Sequence, residues 1–509
     1  MNFLQVLLDF SNCTILYKKR KYLVTALDFI ICGIYLALTA GIGLYVGFKR
    51  KYSDDSEYYL AGRRVGIFAI GISVMATAFS AINYLAIPTE IAEHGLYVIL
   101  AFPVFLLVTI PVAYSVIPFF CRQRQTSAYE FLEQRFGLKV RLLAGGLYIF
   151  WQLSLMALIL VASSRILFLL SGVPVPWLIA ILGLTAGGCA VIGGLKAVIW
   201  TDVLQFFVIA GSIALVLIVT ANGSDSGIIA GGLELGKLKP FLPFDSQVLS
   251  PDPSVRMTLW SVFTGTFVMF MARYGADQSV IQRYAAAGSI AKARKMFIWN
   301  ISAALFCLIM LAMFGLALAH FAHLNGMAGK PGLLVMVKLL HRLPNGVNGL
   351  VVAGILAAAM SSLDSGVNSI GVTWQRDFQH RLISVRGNTI LHKMLESTVF
   401  TIISILLALV ILVCFKKHSI FVMTARTINA LGSPLLVVVG AGMLPVRLRP
   451  VWSGVFWGGL GGIFFSIIFC LSVDKLAVHY YAAVNFVATA AMVIIVHFWC
   501  KLRLWVKGR

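Results

Sequence analysis

LVVAGILAAAMSSLDSGVNSIGVTWQRDF, residues 350–378, is an apolar run with hydroxyls and a carboxylate at its centre. Ala358, Ser361, Ser362, Asp364 and Ser365 fall where a spanning helix crosses the middle of a bilayer. Polar and ionisable groups are costly at that depth, so they face protein or water and mark function by default. Positions 361 and 365 share one helical face, as do 358 and 362. Neighbouring faces therefore carry hydroxyls beside backbone carbonyls, hard oxygen donors that alkali and alkaline-earth cations prefer to thiolate or imidazole. A structural reading stays open for the serine pair: hydroxyls back-bonded to their own helix so that another helix packs close. Asp364 in the same turn sits badly with it.

Composition places this helix among many others. The 509 residues are 60% hydrophobic and 12% charged, with a mean hydropathy of +0.92. A spanning helix needs roughly 20 apolar residues, and such runs stand at about 27–48, 66–86, 95–120, 142–171, 175–193, 198–221, 257–282, 296–319, 346–373, 395–415, 419–445, 450–472 and 478–500. The expected class is all-α, a polytopic transmembrane protein of about thirteen helices, because open backbone cannot face lipid. The net charge of +22 would mark a nucleic-acid binder in a soluble chain. Here the bases sit in short loops, and a topogenic role is simpler. Their bias puts the N-terminus outside and the C-terminus in the cytoplasm of a cell-membrane protein, although KKRK at 18–21 then lies on the wrong side. The eight cysteines form no CxxC and the nine histidines no HExxH, so metalloenzyme and redox readings gain no support. No small-residue cleavage site follows the N-terminal segment, and a cleaved signal peptide is not expected.

Two of the runs are interrupted. The polar stretch TAFSAIN at 77–83 and Pro88 break the second, and Arg273, Gly275 and Asp277 break the seventh. Corresponding broken helices an odd number of spans apart point to two five-helix halves of opposite orientation with a site at the membrane midplane. A bundle merely kinked by its glycines and prolines is the alternative. The spacing of Gly454, Gly458 and Gly462 reads as helix packing. The resulting division is an N-terminal extension (1–26), an extra helix (27–48), a first repeat (66–221), a second repeat (257–445), further C-terminal helices (450–500) and a basic tail (501–509).

Four segments carry a family resemblance. GGLKAVIWTDVLQ at 193–205, ADQSVIQRY at 276–284, AAAMSSLDSGVNS at 357–369 and INALGSPLL at 428–436 resemble, in order and spacing, the sodium/solute symporter family, whose members share the LeuT-like inverted repeat. SAINYLAIP at 80–88 looks closer to its monocarboxylate, multivitamin and iodide branch than to its sugar branch. The resemblance implies a sodium-coupled symporter working by alternating access, with Na+ as co-transported ion and no enzymatic chemistry. It implies a sodium site made by the carbonyls of Ala76, Phe79 and Ala358 and the hydroxyls of Ser361 and Ser362. A second cation site, present in some members, falls on Asp202, Ser361, Asp364 and Ser365. Asp364 departs from that pattern, where Ser or Thr is usual. Two carboxylates facing one small site repel, so either a cation binds there more strongly or a proton replaces it.

On the substrate side the resemblance points to Asn83, to Arg273 with Asp277, and to Ala425 with the neighbouring Arg426. Arginine replaces a sugar-stacking aromatic at 273, and a buried guanidinium needs an anion, best a carboxylate. The expected partners are thus a small, anionic solute and the lipid bilayer, with no nucleic acid. An Arg273–Asp277 pair at i,i+4 is the competing reading for this arginine, and snorkelling the reading for Arg165. A proton-coupled or neutral-solute carrier and a non-transporting sensor remain as alternatives. An intramembrane enzyme lacks any nucleophile–base or metal-ligand set.

Overall fold

The computed structural model describes residues 25–48, 55–123, 125–222, 227–242, 244–382, 390–414, 420–473 and 476–507. The basic KKRK segment lies outside the described residues. The long helices are α1 (Ala26–Phe48), α2 (Ile67–Ala78), α3 (Ala81–His94), α4 (Leu96–Gln123), α5 (Leu138–Ser171), α6 (Val175–Asn222) and α7 (Leu259–Gly275). They continue as α8 (Gln278–Ala286), α9 (Ile290–Leu324), α10 (Val347–Thr373), α11 (Ile390–Cys414), α12 (Ile420–Met443), α13 (Trp452–Ser472) and α14 (Tyr480–Lys507). Helix is the expected outcome for apolar runs of this length, since only intrasegment hydrogen bonds satisfy a backbone in lipid.

Ten of the described helices are long and apolar enough to cross a membrane, or eleven when the bent pair α2–α3 counts as one span. The thirteen runs of the sequence differ from this count at two interrupted stretches. One is the interrupted pair α7–α8. The other is α6, which is split at Gly194 (φ 53°, ψ −162°), a left-handed backbone that glycine adopts without the clash a Cβ would bring.

The two breaks have local causes. Between α2 and α3, Phe79 (ψ 103°) and Ser80 (ψ 165°) are extended and the axis turns by 66°. Between α7 and α8, Ala276 ends one helix and Asp277 caps the next, its carboxylate accepting from Ser279 N at 2.7 Å. A side-chain acceptor at the N-cap satisfies an orphan amide and fixes where the new helix begins.

The core lies on α10, where every residue from Val351 to Thr373 is buried. It packs most extensively on α6, and α1 lies against both. α9 packs on α2 and α3, and α5 on α11 and α12. Outward faces are apolar, with Phe29, Ile30 and Ile34 of α1 exposed, as lipid requires. The glycines of α13 let α14 approach closely: a Cβ on Gly458 would stand 2.4 Å from Val493 Cα, and one on Gly462 2.4 Å from Thr489 Cγ2. The small-residue spacing is therefore helix packing.

Candidate functional site

The breaks bring α2, α8, α6 and α10 together at a buried polar cluster. Asp202 of α6 is its centre. Its Oδ1 accepts from Ser361 Oγ at 2.6 Å, and its Oδ2 from Ser73 Oγ at 2.5 Å and Arg283 Nη2 at 3.1 Å. The Arg283 guanidinium is 1% exposed and reaches four helices. Besides Asp202 it donates to Ser73 Oγ (2.8 Å), Ser279 O (2.6 Å) and Ser365 Oγ (2.7 Å). A buried charge persists only when paired and hydrogen-bonded, and this one is both. Asp202 and Ser365, two of the four residues expected at a second cation site, thus already serve the arginine.

Asp364 contrasts with Asp202. It is fully buried, and neither carboxylate oxygen has a hydrogen-bond partner among the described residues. It stands one turn below Ser361 on the side facing α6, with Gln205 the nearby polar side chain.

The Ser362 hydroxyl points at the helix break, 3.4 Å from Thr77 O. That carbonyl also accepts from Arg273 Nη2 at 2.7 Å. Thr77 Oγ1 lies 2.7 Å from Ser365 Oγ. Ser362 therefore faces the helix break and Ser361 the carboxylate of α6, and neither hydroxyl bonds back to its own helix. Ala76 O accepts from Phe79 N at 3.2 Å in the turn that closes α2. Ala76 and Ala358 are fully buried and Phe79 nearly so.

Arg273 sits in the last turn of α7 with its side chain 18% exposed, and Nη1 pairs with Asp277 Oδ2. The i,i+4 pair weighed above is present, and the fork still spans the gap from α7 to the α2 carbonyl. Asn83 lies half-buried in the first turn of α3. On α12, Arg426 donates to Val473 O at 3.3 Å and its guanidinium stands 5.6 Å from the Tyr481 ring, contacts to the C-terminal helices. Ala425 beside it is half-buried.

Arg283, Ser73, Thr77 and Gln205 belong to the cluster but were not singled out from the sequence. A signal existed for the arginine: Gln278, Ser279, Gln282 and Arg283 place polar residues at i,i+4 within an otherwise apolar run.

Comparison with known proteins bears directly on this arrangement. The family model described as "SSF: Sodium:solute symporter family" matches residues 58–462. A sodium/sialic acid symporter of Proteus mirabilis is 30% identical over 354 residues, 68% of this chain and 70% of the relative. The human sodium-coupled monocarboxylate transporter 1 is 29% identical over 362 residues, 69% of this chain and 58% of the relative. The substrate-bound, outward-open structure of a Na+-coupled sialic acid symporter superposes with a TM-score of 0.82 at 25% identity, covering 92% of this chain and 97% of the other. Mhp1, a nucleobase-cation-symport-1 family transporter, shares the fold with a TM-score of 0.53 at 12% identity over 88% of this chain and 95% of its own.

Proposed function

The chain belongs to the sodium:solute symporter family and is a multi-pass, sodium-coupled secondary transporter working by alternating access; from that premise we propose that its cargo is a small organic anion bearing a carboxylate. Arg273 carries the proposal. Its partly exposed guanidinium stands at the α7 break, facing the unwound end of α2. A planar fork with donors left over is the geometry that binds a carboxylate through parallel hydrogen bonds. Relatives named for sialic acid and monocarboxylates support an acidic cargo. Asn83 and Asp277 line the same region, and Ala425 and Arg426 complete the candidate contacts from α12.

On the ion side the proposed sodium ligands are the carbonyls of Ala76, Phe79 and Ala358 with the hydroxyls of Ser361 and Ser362. Carbonyls freed where a helix unwinds replace the ion's hydration shell. A second cation is proposed beside Asp364, with Asp202, Ser361 and Ser365 around it. Sodium and solute each stabilise the occluded state, so each raises the other's affinity by the same factor. The charge bias of the loops supports a cytoplasmic C-terminus.

The Arg273–Asp277 pair favours a second reading, a neutral cargo, since the arginine then already has its counter-charge. Uptake into proteoliposomes, with and without a sodium gradient, decides between them when small carboxylates compete with sugars. Arg273→Lys keeps the charge and loses the fork, and the expected outcome is roughly a tenfold or greater rise in substrate half-saturation. Sodium-driven uptake of a neutral sugar, indifferent to carboxylate competitors, overturns the anion reading.

A further inference from the structure

The short helix Glu130–Phe136 packs on α12 and α13, and four bases gather around that contact. A Cβ on Gly442, near the end of α12, would stand 2.6 Å from Phe131 Cε2. The Arg135 guanidinium lies 5.5 Å from the centroid of the Phe131 ring and 5.0 Å from that of Phe119. Arg449, in the link from α12 to α13, reaches back to the same end of α12, its Nη2 donating to Leu444 O at 3.4 Å. Lys139, in the first turn of α5, holds its ammonium 5.7 Å from the centroid of the Trp452 ring, where α13 begins. Arg447 stands exposed in the turn between α12 and α13.

Among the described residues none of these four bases pairs with a carboxylate. The acids of the short helix are engaged elsewhere: Glu130 accepts from Ser127 N at 2.9 Å, and Glu133 from Arg141 at 2.6 Å and Arg381 at 3.1 Å. Residues 397–509 carry one acid, Asp474, which follows the far end of α13 in the chain. Arg135 Nη1 and Arg449 Nε are buried donors without an acceptor. Burial and the Arg449 charge hold the Arg135 guanidinium below its usual pKa, as expected of a cation beside an uncompensated cation. An anion at this place relieves the repulsion, and a phosphate matches the guanidinium fork. The depth of the cluster selects its source. Trp452 and Trp499 are exposed and stand at the same end of the bundle, since Val451 N donates to His497 Nδ1 at 3.0 Å. Exposed tryptophans at the ends of spanning helices mark the headgroup level, where a lipid phosphate lies by default. The loop-charge bias assigns this end to the cytoplasm, whose leaflet carries the anionic lipid.

We propose that Arg135, Lys139, Arg447 and Arg449 form a binding site for the phosphate headgroup of an anionic phospholipid. The two arginines supply forked donors and the two flanking bases add charge. The site is independent of the cargo and ion readings. The purified full chain in a neutral detergent is titrated with phosphatidylglycerol, phosphatidylcholine or inorganic phosphate while the melting temperature is followed. Phosphatidylglycerol should raise it saturably, and the other two should not. The double variant Arg135→Gln, Arg449→Gln should weaken the apparent affinity for phosphatidylglycerol by roughly fivefold for each cation removed. Arg342→Gln, an exposed base preceding α10 at the opposite end of the bundle, should change nothing. The exposed pair Lys139→Gln, Arg447→Gln removes two cations without emptying buried space and should act like the arginine pair, which decides the matter if the arginine variant does not fold. Equal stabilisation by phosphatidylglycerol and phosphatidylcholine, or a phosphatidylglycerol effect that the double variants leave intact, overturns the site. A shift produced by inorganic phosphate alone overturns the lipid reading.

Discussion

Asp202 and Asp364 are both fully buried carboxylates, yet they have opposite surroundings. Asp202 accepts from Ser361, from Ser73 and from the Arg283 guanidinium, whereas neither oxygen of Asp364 has a hydrogen-bond partner among the described residues. Asp202→Asn leaves Arg283 buried without its counter-charge, and removing one partner of a buried pair typically costs about 3–5 kcal/mol. A marked fall in melting temperature and in membrane yield is the expected result. Asp364→Ser removes a carboxylate that no donor holds, so stability should be kept or raised. If a second cation binds beside Asp364, the measured sodium-to-solute stoichiometry should fall in the same variant. The double variant Ser361→Ala, Ser362→Ala loses two oxygen ligands at no helix-propensity cost and should raise the sodium half-saturation of uptake. The hydroxyls and Asp364 were legible in the sequence because polar atoms stand out in an apolar run, whereas Asp202 entered through the family resemblance. Which acid is paired was not, because the partner, Arg283, is 81 residues away in the chain and meets Asp202 only when α6 and α8 pack.

Among the helices, α13 and α14 form a close pair through Gly454, Gly458 and Gly462. Gly458→Leu forces a side chain against the Val493 backbone, and overpacking of this kind costs about 1–3 kcal/mol. Thermal melting of Gly458→Ala and Gly458→Leu should fall in that order. The short link between these helices carries a pH dependence. His479 approaches α7 so closely that a Cβ on Gly265 would stand 1.8 Å from its carbonyl oxygen. Burial and the Arg256 charge push its pKa down to about 4, below the roughly 6.5 of a free imidazole. The unfolded chain therefore binds the proton more readily. This histidine costs no stability above about pH 6.5, and stability falls as pH drops from there toward 4. His479→Phe should flatten the melting temperature across that range. The periodicity that predicts each helix contains the α13 glycines, but the half-burial of His479 depends on α7, distant in sequence, arriving beside it.

At the scale of the whole transporter, α8 and the residue before Asp277 are tied to the 126–129 segment and to α10. Gln278 Nε2 donates to Thr126 O at 2.9 Å, Gln282 Nε2 to Asn368 Oδ1 at 2.8 Å, and Tyr129 Oη to Ala276 O at 2.9 Å. At the breaks, by contrast, Asn83 and Arg273 keep partial exposure. If these contacts are made in only one of the two access states, Gln282→Ala should favour the other. One or two lost hydrogen bonds correspond to roughly tenfold in the ratio of the two forms. A cysteine at Asn83 should then label more slowly than in the unaltered background, with sodium absent in both; equal rates would place the closure elsewhere. The amino-acid sequence by itself determined the class and the two interruptions, because these follow from local hydropathy and from residues that disrupt a helix within a few positions. It also exposed the serine pair and Asp364, since a polar group in a bilayer core is conspicuous wherever it stands. The tertiary structure decided the pairing: Arg283 with Asp202, Arg273 with both Asp277 and the α2 carbonyl, Asp28 with the amides of Gly346 and Gly349 at the start of α10. Hydrogen-bond geometry depends on distances of a few tenths of an ångström between segments tens to hundreds of residues apart, and helical spacing along one segment carries no information about which face of another it meets.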